Sequence, residues 1–331
     1  MKLFVTGAGG YIGTTLVPML LDVDHEVIAL DRFFFGRELL QEHPKLTIYE
    51  DDIRTFDASL LDGVEAVIDL AALSNDPSGE LNLDWTWQIN HAGRVRVANL
   101  AKERGVAQYM LPSSCSVYGF QEEVLTEESS TNPLTTYAKA NLKAEEDILP
   151  LDDSNFDVIV IRQATVYGLS LRMRFDLAIN GMIKGFFTKG KIPILRDGTQ
   201  WRPFIHVKDT SRAMMMLLKA PREKVKGQRF NVGANKQNFQ IFSLAQQVAE
   251  SVDIPFNYEW YGDPDHRSYQ VKFEKIRNVV GFEAKHSLQE AVREIWNVLE
   301  NKAVDPNNPK TITVQWYKKL IEKGVEIGSS S

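Results

Sequence analysis

The first constraint on this chain begins at its second residue. The apolar run Leu3-Phe4-Val5 passes straight into a glycine cluster, Gly7, Gly9, Gly10 and Gly13, and Ile12, Leu16, Val17 and Leu20 then recur at helical spacing. A strand, a sharp turn and a helix follow from that pattern. Glycine is required because the turn is tight, because a backbone approaching a pyrophosphate leaves no room for a Cβ, and because the helix sits close to its strand. The helix start then presents unpaired N–H groups and the positive end of its dipole to the phosphates.

Glycines alone are a weak signal, and the next segment strengthens this one. Glu26 to Leu30 reads as a second strand with Asp31 at its end. That is close to the spacing of about 20 residues at which an acidic side chain accepts from the adenosine ribose hydroxyls. The carboxylate disfavours a 2′-phosphate, so NAD is expected over NADP, with the adjacent Arg32 pulling the other way.

The pattern then repeats. Strands are expected at Leu46 to Tyr49, Ala66 to Leu70, Gln108 to Leu111 and Asp157 to Arg162, with helices over about Trp85 to Arg104 and Thr136 to Leu149. Such alternation predicts an α/β fold, a Rossmann-type doubly wound parallel sheet whose ligand sits beyond the C-terminal strand ends. Residues that follow the strands are therefore the candidates: Asp51-Asp52-Ile53, Ala71-Ala72-Leu73, and Ser113 to Gly119. The expected division is a nucleotide-binding domain over 1–167, to which 204–233 returns. Segments 168–203 and 234–325 make a smaller mixed α/β C-terminal substrate lobe, and 326–331 a disordered tail.

Composition removes other classes. Hydrophobic content of 44% and charged content of 25% are those of an ordinary soluble globular protein. A net charge of −6 argues against nucleic acid or an anionic membrane as partner. The one cysteine, Cys115, excludes an intramolecular disulfide and fits a reducing cytoplasm. No apolar run is long enough to span a bilayer, and a first strand at Lys2 leaves no room for a signal peptide. The histidines show no metal-ligand spacing, so no metal is expected. Met214 to Met216 reads as helix core, Trp85 and Trp87 as packing or subunit contacts, and Phe33 to Phe35 either as an adenine shield or as a buried loop anchor.

In order, Gly7-Gly10-Gly13, Asp31, Asp52-Ile53, Ala71-Ala72, Asn90, Ser114 with Val117-Tyr118-Gly119, Tyr137, and Arg202-Pro203-Phe204-Ile205-His206-Val207 resemble the extended short-chain dehydrogenase/reductase family. More narrowly they resemble its NAD-dependent nucleotide-sugar epimerases and dehydratases, of the UDP-glucose 4-epimerase kind, from Met1 to about Gly281. The resemblance implies that Gly7, Gly10, Tyr11, Ile12 and Gly13 hold the pyrophosphate. It assigns Asp31, with Arg32 beside it, to the adenosine ribose, Asp52 and Ile53 to the adenine, and Leu70, Ala71, Ala72 and Asn90 to the dinucleotide lining. Ser114 and Tyr137 match the catalytic pair. Arg202 and Arg267 match contacts to the nucleotide diphosphate, Asn180 lies on the same side, and Ser114, Cys115, Ser116 and Thr165 fall where the sugar is held. A homodimer through the helices at about 85–104 and 136–149 is implied as well.

Three positions depart from the family pattern. Where Tyr-x-x-x-Lys is usual, this chain reads Tyr137-Ala138-Lys139-Ala140-Asn141. Asn141 can hydrogen-bond a ribose hydroxyl but brings no charge to favour a phenolate. Sugar 4,6-dehydratases place acidic groups after the catalytic serine or threonine, and here Cys115 and Ser116 stand there, which disfavours 4,6-dehydration. Thr165 replaces a frequent asparagine. His206 reads as structural. The expected activity is an NAD-dependent epimerase of a nucleotide-diphosphate sugar, at C4 through a transient 4-keto intermediate. A 4-ketoreductase or dehydrogenase of such a sugar, and a catalytically silent dinucleotide-binding protein, stand as alternatives.

Overall fold

The computed structural model describes residues 1–265 and 267–328. Up to residue 167 the chain runs β1 (Lys2–Thr6), α1 (Gly13–Asp22), β2 (Glu26–Asp31), β3 (Leu46–Glu50), β4 (Ala66–Asp69), α2 (Asp76–Gly79), α3 (Leu83–Trp87), α4 (Arg94–Glu103), β5 (Gln108–Ser114), β6 (Phe120–Leu125), α5 (Thr136–Ile148), β7 (Asp157–Gln163) and β8 (Thr165–Tyr167). Then come α6 (Ala178–Lys189), β9 (Ile192–Leu195), β10 (Trp201–His206), α7 (Val207–Lys219), α8 (Arg222–Val225), β11 (Gln228–Val232), β12 (Asn238–Gln240), α9 (Ile241–Glu250), β13 (Tyr258–Tyr261), β14 (Ser268–Val271), α10 (Glu274–Val280), α11 (Leu288–Glu300) and α12 (Thr313–Glu322).

Seven strands form one sheet in the order β11-β7-β5-β4-β1-β2-β3, every neighbouring pair parallel. This is the doubly wound α/β arrangement that the alternation predicts. The chain leaves β1 in one direction for β2 and β3 and in the other for β4 and β5, which opens a crevice above the C-terminal ends of β1 and β4. Both faces of the central strands are covered, so β1, β4 and most of β2, β5 and β7 are buried and mainly apolar, whereas the edge strand β3 is largely exposed. Leu3 and Val5 pack with Leu16, Val17 and Leu20 of α1, whereas Phe4 points the other way, into a cluster with Val97, Ala98 and Ala101 of α4. Each such buried side chain is worth roughly 1.5–3 kcal/mol.

Of residues 204–233, β11 extends the sheet beside β7 and α7 packs on α1, but β10 pairs with β8 and β12 in a separate three-stranded sheet. Ile183, Phe186, Ile194, Phe204, Leu244, Val292 and Ile295 build a second core around that part of the chain.

One expected helix carries an irregularity, and one expectation is corrected. The helix expected over about 85–104 is present as unbroken helical backbone from Leu83 to Glu103, with a π-helical turn at Gln88–Gly93 between α3 and α4. Asn90 sits in that turn. Fully buried, its Oδ1 accepts from Leu73 N at 2.8 Å and its Nδ2 donates to Leu73 O at 3.0 Å, which pins the loop after β4. The tail expected over 326–331 does not hold for 326–328, because Ile327 is an apolar side chain with a cluster to enter. It is 1% exposed and packs with Tyr317 and Leu320. Residues 329–331 lie outside the described residues.

Candidate active site

The glycine turn after β1 is a cradle no side chain can enter. Gly7 adopts φ +63°, and a Cβ on it would lie 2.6 Å from the Leu70 carbonyl carbon. A Cβ on Gly13 would press into the Gly7 and Ala8 carbonyl oxygens. From this turn a single cavity of about 910 Å³ runs along the strand ends. Gly7, Gly10, Tyr11, Ile12 and Gly13 line one part of it, with Asp31, Arg32, Asp52 and Ile53 beside them. Leu70, Ala71 and Ala72 follow, then Ser114, Ser116, Tyr137 and Thr165, and last Arg202 and Arg267. Residues spread over most of the sequence thus share one wall.

At the end of β2, Asp31 Oδ2 accepts from Gly9 N at 3.0 Å and Oδ1 from Phe33 N at 2.7 Å. Loss of surrounding water nevertheless pushes its carboxyl up to about 6. Arg32 Nη1 lies 2.8 Å from Asp52 Oδ2, and Arg54 Nη2 lies 2.6 Å from the same oxygen. Burial works to raise Asp52, and the hydrogen bonds from Arg54 and Arg32 outweigh it, holding the carboxyl below its usual range. With the Arg32 charge set against Asp52, the surroundings of Asp31 suit ribose hydroxyls better than a 2′-phosphate. Phe33 is buried behind Gly9, while Phe34 and Phe35 line the cavity.

Ser114 ends β5 and its Oγ accepts from Ser116 N at 3.1 Å. Tyr137 sits in the first turn of α5, which Thr135 caps by accepting from Ala138 N at 3.2 Å. Glu145 ties that helix to the sheet: it accepts from Ser113 Oγ at 2.5 Å and from Arg162 Nη2 at 2.8 Å, with the two ionic side chains 0% and 4% exposed. Removing one partner of such a buried pair costs about 3–5 kcal/mol.

Four expected site residues do not line the cavity. Cys115 turns its Sγ towards Arg162 O at 3.3 Å, and burial drives the thiol well above its ordinary pKa, so it is a packed side chain with no acid to offer. Asn180 is fully buried; it accepts from Gly168 N at 3.0 Å and donates to the Tyr11 hydroxyl at 3.1 Å, which positions Tyr11. Asn90 holds the loop at Leu73. Asn141 Oδ1 accepts from Arg94 Nη1 at 2.8 Å and its Nδ2 donates to Tyr137 O at 2.9 Å, so both ends of its amide are engaged inside the protein. Arg94, which also donates to Asp69 O and Pro112 O, is 2% exposed. An arginine in a helical stretch reads as a surface residue, and nothing in the sequence signalled it.

Further along, Asp265 sits between two arginines. Arg202 Nη2 lies 2.8 Å from its Oδ2, and Arg267 donates to it through Nε at 2.9 Å and Nη2 at 2.7 Å. Arg267 Nη1 also meets Asp76. The carboxylates orient two planar guanidiniums that face the cavity, a geometry suited to a diphosphate. Arg174 is clamped by Asp176 at 2.8 Å, while Arg172 is a buried cation whose Nε has no partner among the described residues. Burial, then the neighbouring Arg174 charge, lower Arg172 to about 9. These orphaned and cradling groups fit an anionic dinucleotide. His206 is buried outside the cavity, stacked on His286 at 4.5 Å, and burial pushes it down to about 3. Among the described residues no group of three or more His, Cys, Asp or Glu side chains is placed to hold a metal ion, and no helix is long and apolar enough to cross a membrane.

Comparison with known proteins agrees with this geometry. UDP-glucose 4-epimerase of Lactobacillus helveticus is 26% identical, over 89% of this chain and 96% of its own. An uncharacterized UDP-glucose epimerase of Bacillus subtilis is also 26% identical, over 88% of this chain and 96% of its own. The structure of MoeE5 in complex with UDP-glucuronic acid and NAD superposes with a TM-score of 0.81 at 26% identity, covering 91% of this chain and 100% of MoeE5. The profile of the NAD dependent epimerase/dehydratase family matches residues 3–233, well over half of the sequence, so this chain belongs to that family of NAD-dependent enzymes.

Proposed function

We propose that the protein is an NAD-dependent 4-epimerase of a nucleotide-diphosphate sugar. The observation that carries this reading is one continuous cavity joining the glycine turn and Asp31, through Ser114 and Tyr137, to the paired Arg202 and Arg267. Relatives are named for UDP-glucose, and MoeE5 was solved with both UDP-glucuronic acid and UDP-glucose, so uridine diphosphate sugars are the first substrates to try.

When bound, NAD supplies reversible hydride chemistry at the sugar C4. The Tyr137 phenolic oxygen, acting as the phenolate, takes the proton of the sugar 4-hydroxyl to become the phenol and later returns it, and Ser114 Oγ steadies the same sugar oxygen. Arg202 and Arg267 hold the diphosphate, so the 4-keto sugar, tethered through that group alone, can turn and present its other face. Cys115 and Ser116 offer no acid to expel a C6 hydroxyl, which disfavours 4,6-dehydration.

The arrangement of Asn141 favours a second reading, a dinucleotide-binding protein without turnover, because neither the family lysine nor a free amide stands one turn after Tyr137. A ketoreductase requires cofactor that exchanges. A homodimer through residues 85–104 and α5 belongs to the proposal, supported by Trp87, 37% exposed on that segment, and a cytoplasmic location by the free, buried Cys115.

Denaturing the purified protein and analysing what it releases, then following C4 configuration of UDP-sugars by NMR, tests the readings together. Retained NAD with inversion supports the epimerase. Retained NAD without turnover supports the silent protein, and net NADH production or consumption without inversion supports the ketoreductase or dehydrogenase.

A further inference from the structure

One wall of the cavity comes from the far end of the chain. Beyond the segment matched by the family profile, which ends at residue 233, α12 and the residues after it fold back over the nucleotide-binding side. Thr313, Tyr317 and Ile327 line the cavity together with Asp31, Arg32 and Ile53. The segment is fastened on three sides of that region. Trp316 Nε1 donates to Phe34 O at 2.6 Å in the loop after β2. Arg54 Nη1, after β3, donates to Gly328 O at 2.5 Å. Gly328 lies so close to Trp85 of α3 that a Cβ there would collide with the indole. The Tyr317 ring packs on Phe34 and Phe35, with centroids 6.1 and 5.6 Å away. From the cavity side, Arg172 Nη2 donates to Thr313 Oγ1 at 2.9 Å, and the guanidinium lies 3.6 Å from the centre of the Phe35 ring. Its Nε, buried, has no partner among the described residues.

We infer that residues 313–328 form a strap closing the adenosine half of the NAD site, tied to the cavity wall through Arg172, and that this strap keeps NAD resident through turnover. The inference rests on the NAD-binding reading above. A dinucleotide seated between Asp31 and Ile327 leaves on this side only after Ile327, Tyr317 and Trp316 have moved, so its release is limited by local opening of the strap. Residence suits an epimerase, in which the hydride taken from the sugar is returned and no exchange of cofactor is needed.

The test uses the full chain loaded with NADH and chased with excess NAD, following loss of bound-NADH fluorescence. Ile327→Ser and Trp316→Ala each speed release at least about tenfold, and Arg172→Met weakens binding of ADP-ribose. Hydrogen exchange gives a readout that a merely structural role would not move. ADP-ribose slows exchange of the amides in 313–328, whereas nicotinamide mononucleotide leaves them unchanged. Release that is unaltered in both variants, or exchange unaffected by ADP-ribose, overturns the strap while leaving NAD binding intact. Tighter NADH binding by the variants overturns it as well, since the segment then competes for the site. A full chain that binds no NADH or NAD overturns both this inference and the functional reading.

Discussion

The two ends of the cleft are built by different means. At the dinucleotide end the shape comes from backbone: a left-handed Gly7, Gly13 packed onto the Gly7 and Ala8 carbonyls, and Asp31 held by the amides of Gly9 and Phe33. At the substrate end it comes from side chains far apart in the chain, Arg202, Asp265, Arg267 and Asp76, which meet through ion pairs. A backbone site is sensitive to added atoms, because main chain cannot swing aside. A side-chain site is sensitive to lost charge, because each guanidinium is aimed by its carboxylate.

Tyr137, between the two ends, carries the largest expected effect. Tyr137→Phe lowers turnover about 100- to 10,000-fold, while the NAD released on denaturation stays unchanged. Full activity in that variant would place the base elsewhere. Gly7→Ala attacks the backbone end. A methyl 2.6 Å from the Leu70 carbonyl carbon, on a residue at φ +63°, raises the NAD dissociation constant about 100-fold by calorimetry, with circular dichroism confirming the fold. Asp265→Asn attacks the side-chain end: KM for the nucleotide sugar rises about tenfold and NAD affinity does not change. Equal losses at both ends would erase the contrast.

The smallest effect is a pH dependence confined to the dinucleotide end. The Asp31 carboxyl is raised from 3.8 to about 6, so the folded chain holds this proton more tightly than the unfolded one. Its contribution to stability is therefore greatest at low pH and is lost as pH rises through about 6. NAD responds with the opposite sign, because the ionised carboxylate is the stronger acceptor for ribose hydroxyls. Affinity falls as pH drops below about 6, by at most about tenfold per unit, and titration of Asp31→Asn gives a flatter profile.

Legibility followed the range of the contacts. The glycine turn and Asp31 were readable because their function depends on spacing within one strand-turn-helix unit, and Tyr137 because it opens a helix that follows a strand bearing Ser114. Cys115, Asn141 and Asn180 had suitable chemistry on suitable elements, yet each turns away from the cavity, towards Arg162, Arg94 and Tyr11 respectively. Residue type and periodicity place a side chain on an element but do not choose between its two neighbours. The buried Arg94 and the returning segment 313–328 gave no signal at all, since charge and a chain end both read as exposed.

What the sequence determined by itself was local: six strand segments with helices between them, a turn that only glycine can make, and an acid at the second strand end. Backbone preference and burial pattern are properties of a few adjacent residues, and they are enough to specify a doubly wound sheet with a dinucleotide crevice. Only the tertiary structure decided which polar groups face that crevice and which are used to hold it together. Ile327 meets Tyr317, and Arg202 meets Asp265, because packing brings distant segments within a few ångströms, and each bond then forms where it removes an unpaired buried group.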